Sequence, residues 1–248
     1  MLERFRTARA IVRSLCIYYG NRARAAGMDR LYSRFVQRGD LVFDVGAHVG
    51  DRVASFRRLG ARVVAIEPQP ALAKVLKLFY GRSAGVMIEP SAVGATPGTA
   101  RLMVNIDNPT VSTASRDFID AARNALGWRE QIWSKTIDVP VTTLDALIER
   151  HGVPAFIKID VEGFEAQALA GLSRPVKALS FEFTTIQRDV ARACIERCLT
   201  LGYRRFNGAV GESQKLAHVG WIGGTEIARW LNELPHDANS GDIYAALA

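Results

Sequence analysis

The chain has 248 residues, enough for one large domain or two small ones with a full buried core. With 48% apolar and 23% charged residues its composition is that of an ordinary globular protein, and no apolar run approaches the ~20 residues of a membrane-spanning helix. The net charge of +7 is local: residues 1–38 hold nine arginines against Glu3 and Asp29, which leaves the rest of the chain neutral and argues against a nucleic-acid-binding body. Three cysteines without metal-ligand spacing speak against a disulfide scaffold and fit a reducing cytoplasm. The arginine-rich start lacks the apolar stretch and cleavage site of a signal peptide.

Leu2, Phe5, Val12, Leu15 and Tyr19 recur at roughly helical spacing with arginines between them, which predicts an amphipathic basic helix over 2–19. The simpler arrangement packs it on the domain with its basic face solvated. The other lays it on a membrane, as a peripheral contact of residues 1–38 with the inner membrane surface. A second helix is predicted over 28–38. From residue 40 apolar bursts alternate with helical stretches: strands at 41–46, 61–68 and 86–94, helices at 51–60 and 70–81. That alternation, with continuous rather than alternating apolar runs, predicts a parallel sheet covered by helices on both faces. An added strand is expected at 99–105, then a polar and aromatic insertion at 106–133. A strand and a helix capped near Thr143 are expected over 137–152. A strand–turn–helix follows at 155–172, a strand at 176–183, a helix at 188–202 and a final strand at 241–248. The parse is a basic helical extension, 1–39, and one α/β domain, 40–248.

Ligands of open parallel sheets bind at the carboxyl ends of the strands. The first strand ends in "DVGAHVGD", residues 44–51. Gly46 permits the sharp turn and Gly50 lets the helix start close to the sheet. A dinucleotide loop needs glycines where His48 and Asp51 stand, and a carboxylate beside a pyrophosphate is repulsive. S-adenosylmethionine has no pyrophosphate, and Asp44 offers an acid to its ammonium; the alternative is an aspartate that only ties down the turn. Glu67, ending the second strand, suits ribose hydroxyls, and Ser91 and Ala92 are placed to flank an adenine. In "IKIDVEGFE", Lys158, Asp160 and Glu162 interrupt an apolar strand, so they either pair with one another or meet a ligand.

The ordered set "FDVGAHVGDRVASF", "VVAIEP", "SAVG", "VPVTTLDALI" and "IKIDVEGFEAQALAGL" resembles the FkbM family of S-adenosylmethionine-dependent methyltransferases over about 40–184. The resemblance implies a Rossmann-like class I methyltransferase fold, a mostly parallel seven-stranded sheet whose last strand is antiparallel. It implies S-adenosylmethionine as cofactor and methyl transfer to an oxygen of a sugar, lipid-linked glycan or natural product. By position, Asp44, Gly46, Ala47, His48 and Gly50 would line the methionine end and Glu67 and Pro68 the ribose. Asp160 and Glu162 would border the transfer site. Family members commonly carry asparagine where His48 stands.

Removing a hydroxyl proton calls for a base, and Asp160, Glu162, Glu182 and His48 are the candidates; His151 reads as a helix cap. No cluster has metal-ligand spacing. The insertion is the expected acceptor site, where Trp128 and Trp133 either stack on the acceptor or bury the insertion's own core. Two other functions stay open: an NAD(P)-dependent oxidoreductase, and a non-catalytic membrane-surface adaptor on the same fold.

Overall fold

The computed structural model describes residues 2–247, so the ends of the two predicted segments, residues 1 and 248, lie outside it. Two helices come first, α1 (Leu2–Tyr19) and α2 (Arg22–Tyr32). The second begins earlier than its apolar pattern implies, because the Asn21 side chain accepts from Arg24 N at 3.0 Å and caps it. The α/β body follows as β1 (Leu41–Val45), α3 (Asp51–Arg58), β2 (Arg62–Ile66), α4 (Pro70–Tyr80), β3 (Val86–Glu89), β4 (Ala92–Val93), β5 (Gly98–Val104), α5 (Arg116–Asn124), β6 (Lys135–Thr142), α6 (Leu144–His151), β7 (Phe156–Ile159), α7 (Glu165–Ala170), β8 (Ala178–Thr184), α8 (Arg188–Thr200), β9 (Arg205–Val210), α9 (Gly224–Glu233) and β10 (Ser240–Ala246).

Seven strands form one sheet in the order β3-β2-β1-β7-β8-β10-β9, parallel throughout except for β10, which is antiparallel to both of its neighbours. The central strands are buried on both faces, as their unbroken apolar runs require. One face packs Leu41, Phe43 and Val45 with Ile157, Ile159 and α8. The other packs Val42, Ala65 and Phe156 with Leu31, Phe35 and Phe56.

The stretch 86–94 is not one strand. It breaks at Pro90, which has no N–H to continue a ladder, and its second part pairs elsewhere. β4, β6 and β5 make a separate three-stranded sheet around Ala92, Leu102 and Val139. The predicted strands near 99–105 and 137–142 therefore exist but belong to this smaller sheet. Thr143 caps α6 through Ala146 N at 3.1 Å.

The N-terminal helix is oriented against expectation. Its buried residues are Ala10 and Ser14, while Leu2, Phe5, Val12 and Tyr19 are exposed. It packs through its small polar face and is fixed by specific contacts. Arg6 pairs with Asp107, Arg13 donates to Asp107 O at 2.9 Å, and Tyr19 Oη donates to Val49 O at 3.0 Å.

Candidate active site

Two turns at the carboxyl ends of adjacent strands build the site. After β1, Gly46 (φ +86) and Gly50 (φ +85) occupy left-handed backbone that a side chain would strain. A Cβ on Gly46 would fall 1.8 Å from Asp160 O, so the two turns touch only because residue 46 is glycine. After β7, Glu162 (φ +53) and Gly163 (φ +85) are also left-handed. Glutamate pays for that conformation with contacts: Thr113 Oγ1 donates to Glu162 O at 2.6 Å, and Glu165 Oε1 accepts from Val161 N and Gly163 N. The strand ends at Ile159, so of the three residues expected to interrupt it only Lys158 lies within it, and Asp160 and Glu162 belong to the turn.

Between the turns lies a cleft with about 550 Å³ of empty space, part of it open to solvent. Gly46, His48, Glu67, Pro68, Ser91 and Ala92 line it, together with Asp160 and Glu162. Asp44, Ala47, Gly50 and Glu182 are not among its lining residues. Glu67 is buried and holds the loop: Oε2 accepts from His48 N at 2.9 Å and Oε1 from Gln69 N at 2.8 Å. Burial pushes its carboxyl up to about 7, against the pull of those amides. Asp44 is wholly buried behind the turn, in register with Ala65 and Lys158, and neither carboxylate oxygen has a hydrogen-bond partner. Burial raises it to about 7 as well. Ser91 Oγ, on the cleft wall, also lacks a partner.

These groups fit S-adenosylmethionine and do not fit a dinucleotide. The cleft is lined by three carboxyl side chains, Glu67, Asp160 and Glu162, and by no lysine or arginine. No cation lines the cleft to meet a pyrophosphate, whereas a sulfonium, itself positive, needs none. The Ser91 hydroxyl on the cleft wall and the Asp44 carboxyl behind it are buried polar groups without a partner.

The second turn carries its own compensation. Carboxylate oxygens of Asp160, Glu162 and Glu182 lie within 4.8 Å of one another. Lys158 Nζ sits 3.2 Å from Asp160 Oδ2 and 2.6 Å from Asp242 Oδ1, and Arg52 Nη2 is 3.1 Å from Asp160 Oδ2. Burial drives Asp160 up, but Lys158 and Arg52 outweigh it and bring it down to about 2. Burial first, then the neighbouring carboxylates, pushes Glu162 and Glu182 well above the carboxylate range. Both keep one buried oxygen without a partner. A divalent cation at this triad would face the two fixed charges of Lys158 and Arg52.

His48 lines the cleft, with Nε2 3.4 Å from Thr110 Oγ1 and Tyr18 edge-on at 5.5 Å. Burial lowers its pKa to about 4, so it is neutral at physiological pH. His151 caps nothing: Nε2 lies 2.8 Å from Glu89 Oε1, and Gly152 closes the helix. Trp128 and Trp133 lie edge-on to Phe118 in the insertion's own small core. Their indole N–H groups donate to Asn239 Oδ1 and Val111 O. The insertion still reaches the cleft through Pro109, Thr110 and Ser112. Gln69, Arg52 and Tyr18 are additions that sequence reasoning missed. Only Gln69 had a local signal, its place directly after Glu67 and Pro68.

The sequence matches the Methyltransferase FkbM domain over residues 44–220. Among solved structures it is similar to a TehB-like SAM-dependent methyltransferase from Corynebacterium glutamicum (13% identity, 90% of this chain and 88% of that one, TM-score 0.45). It is also similar to a precorrin-6y C5,15-methyltransferase from Geobacter metallireducens (12%, 91% and 87%, TM-score 0.43). A third is Aeropyrum pernix fibrillarin with natively bound S-adenosyl-L-methionine (10%, 86% and 68%, TM-score 0.44). Among curated proteins no significant match is found.

Proposed function

Since the chain belongs to the FkbM methyltransferase domain family and is thereby an S-adenosylmethionine-dependent methyltransferase, we propose that it methylates a hydroxyl oxygen of a sugar, glycan or related polyol. When bound, the donor supplies an electrophilic methyl group on its sulfonium. Glu67 receives the ribose hydroxyls and Ser91 and Ala92 flank the adenine. Asp44 sits behind the turn and off the cleft wall, so it meets the ammonium only where the turn shifts to admit it. The observation that carries this reading is the cleft wall of three carboxyl groups without a lysine or arginine.

A hydroxyl nucleophile needs a base, and two of the four candidates are poorly matched. Asp160 at about 2 and His48 at about 4 bind a proton weakly at neutral pH. Glu162 lines the cleft and keeps an unpartnered oxygen, and its raised proton affinity makes its ionised form the strongest acceptor there for the hydroxyl proton; the step runs from the molecules in which Glu162 has already lost its own proton. Asp160, held ionised by Lys158 and Arg52, orients the hydroxyl, and Glu182 beside them keeps Glu162 basic. A groove along the insertion, lined by Asn124, Trp128, Thr185, His236 and Asp237, offers the aromatic edge and hydrogen-bonding groups that a sugar uses.

Thermal unfolding with added S-adenosylmethionine, S-adenosylhomocysteine or NAD tests the donor assignment: the first two raise the midpoint and NAD leaves it unchanged. A shift with NAD and none with the other two overturns it. For the acceptor, NMR of the product of a labelled-methyl assay on glycan extracts places the methyl on oxygen. A methyl found on nitrogen or carbon rejects the hydroxyl reading.

A further inference from the structure

α1 is an amphipathic helix turned inside out. Helices on globular domains bury their apolar stripe, yet this one buries Ala10 and Ser14 and shows solvent Leu2 (81% exposed), Phe5 (70%) and Val12 (58%). Tyr19 ends the stripe, and Phe79 of α4, also exposed, extends it at a ring distance of 6.3 Å. The helix is pinned by polar contacts of Arg6 and Arg13 to Asp107 and of Glu3 to Lys135, and its end by the Tyr19 hydroxyl to Val49 O, so the orientation is fixed by the body of the protein.

The charges on this face have one sign. Arg9 stands within the stripe and Arg4 beside it, and neither enters an ion pair among the described residues; Arg22 follows just past the helix end, likewise unpaired. Lys74 and Lys77 of α4 are exposed nearby in the chain to Phe79. The one acid of α1, Glu3, is 2.6 Å from Lys135. A second copy of the chain laid against this stripe would bring Arg9 towards an equally basic face with no acid to meet it. An anionic lipid surface offers what the stripe lacks, hydrocarbon for the apolar residues and phosphates for the arginines. No described helix is long and apolar enough to cross a membrane, so the contact is in-plane.

We propose that the outward face of α1, with Phe79, lies in the interface of an anionic phospholipid membrane. This goes beyond the methyl-transfer reading and does not depend on it. The opposite side of the same helix adjoins the cleft: Tyr18 of α1 packs edge-on to His48 on the cleft wall. A protein docked in this way holds its cleft within reach of the bilayer surface.

The test is sedimentation of the full chain with vesicles of phosphatidylcholine alone or mixed with phosphatidylglycerol. The wild type binds the mixed vesicles at least about tenfold more tightly than the neutral ones. The double substitution F5D/V12D lowers that binding by about tenfold or more. It leaves the unfolding midpoint unchanged, because both side chains are already in water. The F5W variant gives an emission that shifts to the blue on mixed vesicles. Three results overturn the proposal: no sedimentation with mixed vesicles at low salt, equal binding by F5D/V12D, or a self-associated species that F5D/V12D dissociates and vesicles do not displace.

Discussion

The two turns that face each other across the cleft handle buried acid in opposite ways. On the side of the turn after β1, Asp44 within that strand and Glu67 at the end of β2 have no cation in contact; Glu67 has two backbone amides and Asp44 has nothing. The turn after β7 gives Asp160 two cations, at 3.1 and 3.2 Å. A buried acid without a counter-charge is unstable until a ligand arrives, whereas one with an internal partner is ready before the ligand does. The first turn thus leaves its acids without internal compensation, and the second has Asp160 balanced from within the protein.

The largest effect that would break this contrast comes from removing the internal partner. Lys158→Met should cost about 3–5 kcal/mol at pH 7, since it leaves Asp160 and Asp242 short of a buried cation. Urea denaturation measures it, and a loss under about 1 kcal/mol would show that the second turn is not compensated from within. A smaller effect sharpens the first turn. The folded-state pKa of Glu67 is raised from 4.5 to about 7. Between those values the folded state binds more protons than the unfolded one, so stability without donor falls as pH rises. Glu67→Gln should flatten that fall by about 2 kcal/mol across pH 4.5–7, read from denaturation midpoints over pH. An unchanged slope would place the titration elsewhere. The smallest effect concerns His48. Its amide, not its ring, bonds Glu67, and asparagine tolerates the φ of +49 found there. His48→Asn should therefore change donor affinity by less than about 1 kcal/mol and leave the pH–rate profile above pH 5 unaltered. Loss of a titrating limb in that profile would make the histidine the base.

Much of this contrast was legible in the chain. The apolar bursts at 41–46 and 61–68 and the start of the strand–turn–helix at 155–172 placed the central strands, and the acids near their ends line the cleft. What escaped depends on partners distant in sequence. Arg52 reads as a helix surface residue, yet it is mostly buried between Asp160 and Glu212. β9 was missed because Asn207 and Gly208 interrupt its apolar run. The structure buries Asn207 to hold the carbonyls of His218 and Gly220, and it seats Trp230 where a Cβ on Gly208 would be, 2.3 Å away. The apolar stripe of α1 was visible, but periodicity does not say which side docks, and here small residues do. Of the two readings left open for the tryptophans of the insertion, the structure shows them packed edge-on to Phe118 in the insertion's own core, with Trp128 also on the wall of a groove.

β10 has a consequence for how the molecule assembles. It lies between β8 and β9, so β9 enters the seven-stranded sheet only through it. It also carries Asp242, one of the two acids that neutralise Lys158 across 84 residues of chain. The edge of the sheet and the charge balance beside the reacting groups therefore hang on one strand. A change that loosens β10 takes both at once: β9 loses its only neighbour in the sheet, and Lys158 loses the acid that shares it with Asp160.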